Sequence, residues 1–298
     1  MPIPLSTEGN MASVRGMDEW QHILIRQALL EDAAAHDLTA LATMPTESSA
    51  VARISAKADG VLSGVEMADA VFTALDSTIE RKWLAHDGDR VHCGDIVCEL
   101  AGPVVSLLAA ERTALNFLQH LSGIATATRA FVDAVEGTGC RVADTRKTTP
   151  GFRLLEKQAV LHGGGVNHRM DLQSGMLIKE NHIEACGSIS AAVQACYRAG
   201  HAVWVEVECE TLEEVREAVD VCPDIILLDN MDPAVVAQAR VMVPSSILLE
   251  ASGNITLLNA RDYAETGVDR IAIGAITHSA PVLDLSMRIL PSPATADA

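Results

Sequence analysis

Two short apolar runs, IILLD at residues 225–229 and ILLEA at residues 247–251, decide the fold of this chain. Runs this apolar do not suit strands with one face in water, but they suit parallel strands that are buried on both faces. Further candidate strands lie around them, at residues 141–145, 176–180, 203–208 and 270–274. Helical stretches fall between most of them, for example at residues 211–221, 233–241 and 256–266. This alternation predicts either a parallel barrel or a doubly wound sheet.

The first part of the chain has a different pattern. Residues 18–35 carry apolar side chains at close to helical spacing and predict an amphipathic helix with Asp18 as its N-cap. Residues 51–58 alternate like a strand. A long helical stretch follows at residues 106–135, and the pair Ser122-Gly123 predicts a break in it. We therefore expect an α+β region ahead of the strand–helix repeats.

The composition excludes several classes of protein. The 298-residue chain has a formal net charge of −18 and a mean hydropathy of +0.20. Its apolar runs are all shorter than the roughly 20 residues that a membrane helix needs. A strongly acidic chain repels nucleic acid and anionic membranes, and four Phe, three Trp and two Tyr are too few for a base-stacking surface. We therefore expect neither nucleic acid nor a membrane as a partner.

The cysteines and the N-terminal residues bear on the cellular compartment. The chain has seven cysteines, an odd number, and no CxxC pair, which favours reduced thiols over a disulfide framework or a zinc site. The first 20 residues contain no apolar signal-peptide stretch. We therefore expect a cytoplasmic protein.

The positive charges are concentrated in one segment. Residues 141–179 contain seven Lys or Arg and three Asp or Glu, a net charge of +4, whereas the rest of the chain carries −22. A local cationic patch on an acidic protein indicates a small anionic ligand rather than a polymer.

Ionisable residues or glycines follow each predicted strand. The strand ends carry, in chain order, Thr145-Arg146-Lys147, Lys179-Glu180, Glu208, Asp229, Ser252-Gly253 and Gly274. In a barrel these positions converge on the C-terminal face, where barrel active sites are built. Polar strand ends are common because they meet water, but that explains only one or two of these residues.

The order of these residues makes chemical sense. The early Arg and Lys residues would hold anionic groups, and Glu208 and Asp229 could bind Mg²⁺ or sugar hydroxyls. The loop Ser252–Ile255 precedes a predicted helix, so its N–H groups could hold a phosphate. A ligand with a phosphoribosyl group fits this outline.

Several motifs resemble, in the same order, those of the quinolinate phosphoribosyltransferase family. They are ERTALN (111–116), DTRKTTPG (144–151), GGGVNHR (163–169), LIKENHI (177–183), EVE (206–208), LDNM (228–231), EASGNI (250–255) and TGVD (266–269). The resemblance extends from about residue 18 to residue 290, and its several long motifs make it highly specific.

The resemblance implies an α/β fold of two domains. Residues 1–112 would form an N-terminal α/β sandwich domain, on which the C-terminal segment 280–298 could pack back, and residues 113–279 an open, incomplete α/β barrel. It also implies a homodimer, or a higher oligomer of dimers, in which Arg112 of one subunit enters the active site of the other. The implied reaction, a step of de novo NAD biosynthesis, converts quinolinate and phosphoribosyl pyrophosphate into nicotinate mononucleotide, pyrophosphate and CO₂.

The resemblance also implies roles for individual residues. Lys147, Lys179, Glu208 and Asp229 would be catalytic, and Glu208 and Asp229 would hold Mg²⁺. The residues implied in substrate binding are Arg112, Thr145, Arg146, Lys147, His168, Arg169, Lys179, Glu208, Asp229, Ser252, Gly253, Asn254, Gly274 and Ala275.

Three other functions are compatible with parts of the pattern. A paralogous phosphoribosyltransferase could act on another heteroaromatic acid, and Glu180 and Ser174 are two departures from the usual family pattern. A barrel enzyme could form a Schiff base on Lys147 or Lys179. A non-catalytic ligand-binding barrel or scaffold is the third, although a scaffold does not need a set of ionisable strand ends.

Overall fold

The computed structural model describes residues 18–45 and 47–290, which form two compact units. Of the described residues, unit 1 comprises those up to Thr126 together with 281–290, and unit 2 comprises Ala127–Ala280. The division falls inside one long helix, at residues 104–134, and the sequence-based boundary at residue 112 lies in the same helix. The N-terminal segment in which no signal peptide was predicted lies mostly outside the described residues.

Unit 1 is an antiparallel sheet with helices. Its elements are α1 (Glu19–Glu31), α2 (Leu38–Thr43), β1 (Ser49–Ala56), β2 (Gly60–Val61), α3 (Val65–Leu75), β3 (Glu80–Trp83), β4 (Arg90–Val91), β5 (Ile96–Pro103), the first part of α4 (Val104–Ala134) and β12 (Leu285–Ile289). Four strands form one sheet in the order β12-β1-β5-β3, and β2 pairs with β4. Alternate residues of β1 are buried, as its sequence pattern predicted.

The predicted break of the long helix at Ser122-Gly123 is wrong, because α4 continues through it. A Cβ on Gly123 would lie 2.2 Å from the Pro281 carbonyl oxygen. The Ser122 hydroxyl accepts a hydrogen bond from the Ser63 N–H at 2.9 Å. Gly123 is therefore required by a close backbone approach rather than by a helix end.

Unit 2 is an alternation of strands and helices. Its elements after α4 are β6 (Arg141–Ala143), α5 (Arg153–His162), β7 (Met176–Ile178), α6 (Glu180–Cys186), α7 (Ile189–Ala199), β8 (Val205–Cys209), α8 (Leu212–Val221), β9 (Ile225–Asp229), α9 (Pro233–Met242), β10 (Leu248–Ser252), α10 (Ala260–Glu265), β11 (Arg270–Ala272) and α11 (Ala275–His278). All six strands are parallel, in the order β6-β11-β10-β9-β8-β7.

This strand order identifies an open barrel. If the strands are placed round a ring, they follow one another in chain order, and the ring is open between β6 and β7. In a doubly wound sheet, by contrast, the strand order reverses near the middle. Every residue of β8 and the first four of β9 are buried, as expected for strands covered on both faces. The predicted fold class, an α/β chain with an incomplete barrel, is confirmed.

Among the helices of residues 18–45 and 47–290, we find none that combines the length and the apolar character needed to span a bilayer.

We predict that Gly123→Ala destabilises the protein by about 1–3 kcal/mol, because the added methyl group meets backbone atoms that cannot move independently. Urea denaturation measures the free energy of unfolding. Asn116→Ala, at an exposed position of the same helix, is the control and should change it by less than about 0.5 kcal/mol. A gain of stability in Gly123→Ala, as at an ordinary helical glycine, would contradict the packing argument.

Candidate active site

The six parallel strands of unit 2 bring the predicted strand-end residues to one edge. Because neighbouring parallel strands point the same way, their carboxyl ends lie together. The residues at or just beyond these ends are Thr145, Arg146 and Lys147 after β6, Lys179 after β7, Glu208 in β8, Asp229 in β9, Ser252 in β10 and Gly274 after β11. These strand-end residues therefore lie along one edge of the sheet.

A buried ion pair between Asp144 and Lys157 anchors the cationic side of this edge. Both side chains are fully buried. The Asp144 carboxylate also accepts hydrogen bonds from the His168 N–H at 2.8 Å and from Asn167 Nδ2 at 2.6 Å. Lys157 Nζ donates a second hydrogen bond to the His168 carbonyl at 2.9 Å. Burial raises the pKa of Asp144 and lowers that of Lys157, and the ion pair opposes both changes.

This anchor places Arg169 near Arg146. Arg169 is half-buried, and its Nη1 donates a hydrogen bond to the Gly175 carbonyl at 3.1 Å. Burial and the positive charge of Arg146 lower the pKa of Arg169. Lys147, in contrast, is exposed. Two half-buried guanidinium groups and an exposed ammonium group thus give the part of the edge that follows β6 a positive charge.

The His168 ring is turned towards the protein interior. Its Nδ1 accepts a hydrogen bond from the Arg169 N–H at 2.7 Å, so the proton of the neutral ring is on Nε2, which lies 2.9 Å from Glu206 Oε2. Burial lowers the pKa of His168 to about 4, so the ring is neutral at pH 7. Both ring nitrogens face protein groups, and a direct contact of His168 with substrate stays a prediction.

Beneath this edge lies a buried Glu–Arg cluster of Glu206, Glu250 and Arg270, which sequence reasoning missed as a unit. Arg270 forms an ion pair with Glu250, and its Nη2 lies 3.8 Å from Glu206 Oε1. Burial raises the pKa of Glu206 and of Glu250 to about 7. A charged residue inside the apolar run ILLEA was the available signal.

The Glu–Arg cluster is a poor metal site despite its ligand types. His168, Glu206 and Glu250 each place one potential ligand atom within 4.8 Å of the others. Arg270 already supplies the compensating positive charge, and a metal ion there would be repelled by the guanidinium group. We therefore interpret the cluster as a structural ion-pair network.

Glu208 and Asp229 fit a hard cation better. Glu208 pairs with Lys179, and burial raises the pKa of Glu208 although Lys179 opposes this effect. The negative charge of Asp229 raises it as well, so the two carboxylates are close enough to interact. Both supply oxygen ligands, and Mg²⁺ is commonly held by one or two carboxylates together with substrate phosphates.

Two loops complete the edge. Gly253 has φ +93°, and Ser252 and Asn254 flank it at the end of β10. A Cβ on Gly274 would lie 2.9 Å from Lys147 Cδ and 3.3 Å from the His278 ring. His278 was not a predicted site residue, and its position one turn after Gly274 in α11 was the only sequence signal.

Arg112 is the one predicted site residue that does not belong to unit 2. It lies on the part of α4 that belongs to unit 1, and its side chain is exposed. Ala275, the first residue of α11, lies next to Gly274 and is exposed.

An open α/β barrel with guanidinium and ammonium groups, two carboxylates and glycine loops at the carboxyl ends of its strands has the arrangement typical of barrel enzymes. Comparison with known proteins supports a narrower class. The family models described as quinolinate phosphoribosyl transferase, N-terminal domain and C-terminal domain, match residues 37–122 and 124–288.

Individual relatives agree with these matches. A probable nicotinate-nucleotide pyrophosphorylase (carboxylating) of Bacillus subtilis is 44% identical over 89% of this chain and 92% of its own length. The corresponding protein of Mycobacterium leprae is 41% identical over 88% and 95%. The crystal structure of NadC from Streptococcus pyogenes has a TM-score of 0.87 and 40% identity, covering 93% of this chain and 99% of that one.

The chain belongs to the quinolinate phosphoribosyltransferase family. Relatives in this family are named decarboxylating quinolinate phosphoribosyltransferases, so the resemblance and the enzyme class inferred from the sequence are confirmed.

We predict that Glu250→Gln changes how stability depends on pH. Burial raises the pKa of Glu250 in the folded wild-type protein to about 7, whereas the unfolded chain loses this proton near the ordinary glutamate pKa of 4.5. Between these values the folded state binds more protons, so wild-type stability falls relative to Glu250→Gln as the pH rises, by about 3 kcal/mol in total. Urea denaturation of both proteins from pH 4.5 to 8 measures this difference.

The control for this experiment is Glu213→Gln in α8. A hydrogen bond from Arg216 lowers the pKa of Glu213, so any stability that it contributes is lost only below about pH 4.5. Its difference curve should not fall between pH 4.5 and 7. A flat curve for Glu250→Gln as well would show that the Glu250 carboxyl is ionised in the folded protein throughout this range.

Proposed function

We propose that this chain transfers the phosphoribosyl group of phosphoribosyl pyrophosphate to quinolinate with loss of CO₂, giving nicotinate mononucleotide and pyrophosphate. The observation that carries the proposal is the single edge of unit 2, where half-buried Arg146 and Arg169 share a surface with Glu208 and Asp229. One group of residues suits a dianionic aromatic acid, and the other suits a metal-chelating sugar diphosphate.

Quinolinate binds at the cationic side in this proposal. It carries two carboxylates, and a guanidinium group can hold a carboxylate with two parallel hydrogen bonds. The Arg169 side chain is already oriented by the Gly175 carbonyl, and its backbone by the His168 ring. Less side-chain entropy is then lost on binding.

Phosphoribosyl pyrophosphate lies across the remaining strand ends. Glu208 and Asp229 would hold Mg²⁺ and the ribose hydroxyls, while Lys147 and Lys179 would contact the diphosphate. A bound Mg²⁺ would supply positive charge for the pyrophosphate leaving group. The 5′-phosphate meets the N–H groups of the loops at 252–254 and 274–275, together with Thr145.

The chemistry then needs positioning and electrostatics rather than a nucleophilic side chain. The pyridine nitrogen forms a bond to ribose C1 as the bond from C1 to the pyrophosphate oxygen breaks. The ring nitrogen becomes cationic. When the C2 carboxylate departs as CO₂, the electron pair of the broken bond stays on C2, where the adjacent positive charge stabilises it, and C2 then uses this pair to take up a proton.

A Schiff-base mechanism on Lys179 fits the site less well. A Schiff base needs a free lysine amine. Lys179 Nζ is instead engaged by the Glu208 carboxylate.

The enzyme works in this proposal as a cytoplasmic homodimer, or as a higher oligomer of dimers. The exposed Arg112 of each subunit reaches the active site of its neighbour and adds a third guanidinium group for quinolinate. Seven free cysteines support a reducing compartment.

The direct test incubates the purified protein with quinolinate, phosphoribosyl pyrophosphate and Mg²⁺ and measures pyrophosphate and CO₂. Both products should form in equal amounts and only with all three components. Nicotinate in place of quinolinate is the control, because it has no C2 carboxylate to lose. Pyrophosphate release from another heteroaromatic acid, with none from quinolinate, would reassign the substrate.

We predict that Arg169→Ala weakens quinolinate binding by about 2–4 kcal/mol, because a charge-assisted contact in a partly dry pocket is lost. Calorimetric titration of each substrate measures the effect, and phosphoribosyl pyrophosphate should still bind. Arg198→Ala, an exposed arginine on α7, is the control and should bind both normally. Unchanged quinolinate binding in Arg169→Ala would contradict the assignment.

Mixing two inactive variants tests the shared site. In a mixed dimer of Arg112→Ala and Arg169→Ala subunits, one site carries both lesions and the other carries none. Statistical exchange of equal amounts makes about half of the dimers mixed, so about a quarter of wild-type activity should return. If subunit exchange is demonstrated by mass spectrometry and no activity returns, Arg112 does not act across the interface.

A further inference from the structure

In the proposed function, Asp229 binds the ribose and the loop 252–254 binds the phosphate. Asn230, which was not a predicted site residue, lies between these two parts of the site. It follows Asp229, the last residue of β9, which pairs in register with Ser252, the last residue of β10. The Asn230 N–H donates a hydrogen bond to the Ser252 carbonyl at 2.9 Å, so the ladder continues for one bond beyond the two strands.

Beyond this backbone hydrogen bond, the Asn230 side chain makes the hydrogen bonds between the two segments. Its Nδ2 donates to Asp229 Oδ2 at 2.6 Å, and its Oδ1 accepts from Asn254 Nδ2 at 3.0 Å. The orientation of both amides is determined chemically, because a carboxylate only accepts hydrogen bonds. Asn230 thus links the carboxylate of Asp229 to the loop after β10.

The backbone of both segments is shaped for this link. Asn230 has φ +56° and Asn254 has φ +53°, a left-handed conformation that Asn tolerates better than most residues. A Cβ on Gly253 would lie 2.2 Å from Asn230 Oδ1, so glycine at this position makes the room for the Asn230 side chain.

The link continues along the loop. Asn259 Nδ2 donates to the Asn254 carbonyl at 3.2 Å, and Asn259 Oδ1 accepts from the Thr256 N–H at 2.7 Å. The chain of amides therefore runs from Asp229 to the N-terminal end of α10.

We propose that Asn230 is a positioning residue that sets the distance between the sugar-binding carboxylate of Asp229 and the phosphate-binding loop 252–254. The inference rests on the proposed function, because it takes ribose 5-phosphate as the part of the substrate that spans both. A preset distance lowers the cost of ordering the loop when this part of the substrate binds.

Asn230→Gly tests the proposal, because glycine keeps the positive φ and removes only the side chain. The probe is ribose 5-phosphate, titrated calorimetrically in the presence of a metal chelator. Its affinity should fall about tenfold, as expected when a hydrogen bond to a charged group and its partner bond are lost. In the enzyme assay, KM for phosphoribosyl pyrophosphate should rise about tenfold with kcat within threefold.

A purely structural role would change other quantities as well. Quinolinate affinity should stay within twofold of the wild-type value, and the thermal unfolding midpoint within a few degrees. The matched control is Gln238→Ala, which removes an exposed side-chain amide on α9 that donates a hydrogen bond to the Ala234 carbonyl. It should leave ribose 5-phosphate binding unchanged.

Asn254→Gly, which also keeps a positive φ, and the double variant complete the experiment. If the two amides act as one link, the double variant should bind ribose 5-phosphate no more weakly than Asn230→Gly alone. If the wild-type enzyme is active but the Asn230→Gly variant binds ribose 5-phosphate normally, the inference is wrong and the proposed function stands. A wild-type protein that neither turns over quinolinate nor binds ribose 5-phosphate overturns the proposed function and the inference together.

Discussion

The buried ion pair between Asp144 and Lys157 is the interaction on which the candidate site depends. Two charges without access to water are costly unless they are paired and their remaining hydrogen-bonding capacity is satisfied. Here the Asp144 carboxylate accepts hydrogen bonds from Lys157, from the Asn167 amide and from the His168 N–H. The Lys157 ammonium group also donates to the His168 carbonyl. The pair thereby ties the end of β6, helix α5 and the loop before Arg169 into one rigid piece.

The order of strands round the barrel then arranges the chemistry. Cationic side chains come from the loops after β6 and β7, carboxylates from β8 and β9, and glycine loops from β10 and β11. A ligand lying across this edge meets groups for an aromatic dianion, a metal-chelating sugar and a phosphate. The acidic remainder of the chain disfavours anionic polymers, so the cationic edge is suited to small anions.

Much of this organisation was predictable from the sequence. The strand at 225–229 was predicted with its exact bounds, because burial on both faces leaves a continuous apolar run. Placing Glu208 and Asp229 at one edge needed only the rule that parallel strands end together. The strands β6, β7 and β11 each ended two residues earlier than predicted.

Other features were decided by tertiary structure alone. Position 123 of the continuous helix α4 has no room for a side chain because Pro281, 158 positions later, occupies that space. Glu250 meets Arg270, and Asn230 meets Asn254, only through the register of neighbouring strands. Local sequence patterns report how each segment is solvated and which backbone angles it tolerates. They carry no information about which distant residue fills a given space, because that is settled only when the segments pack together.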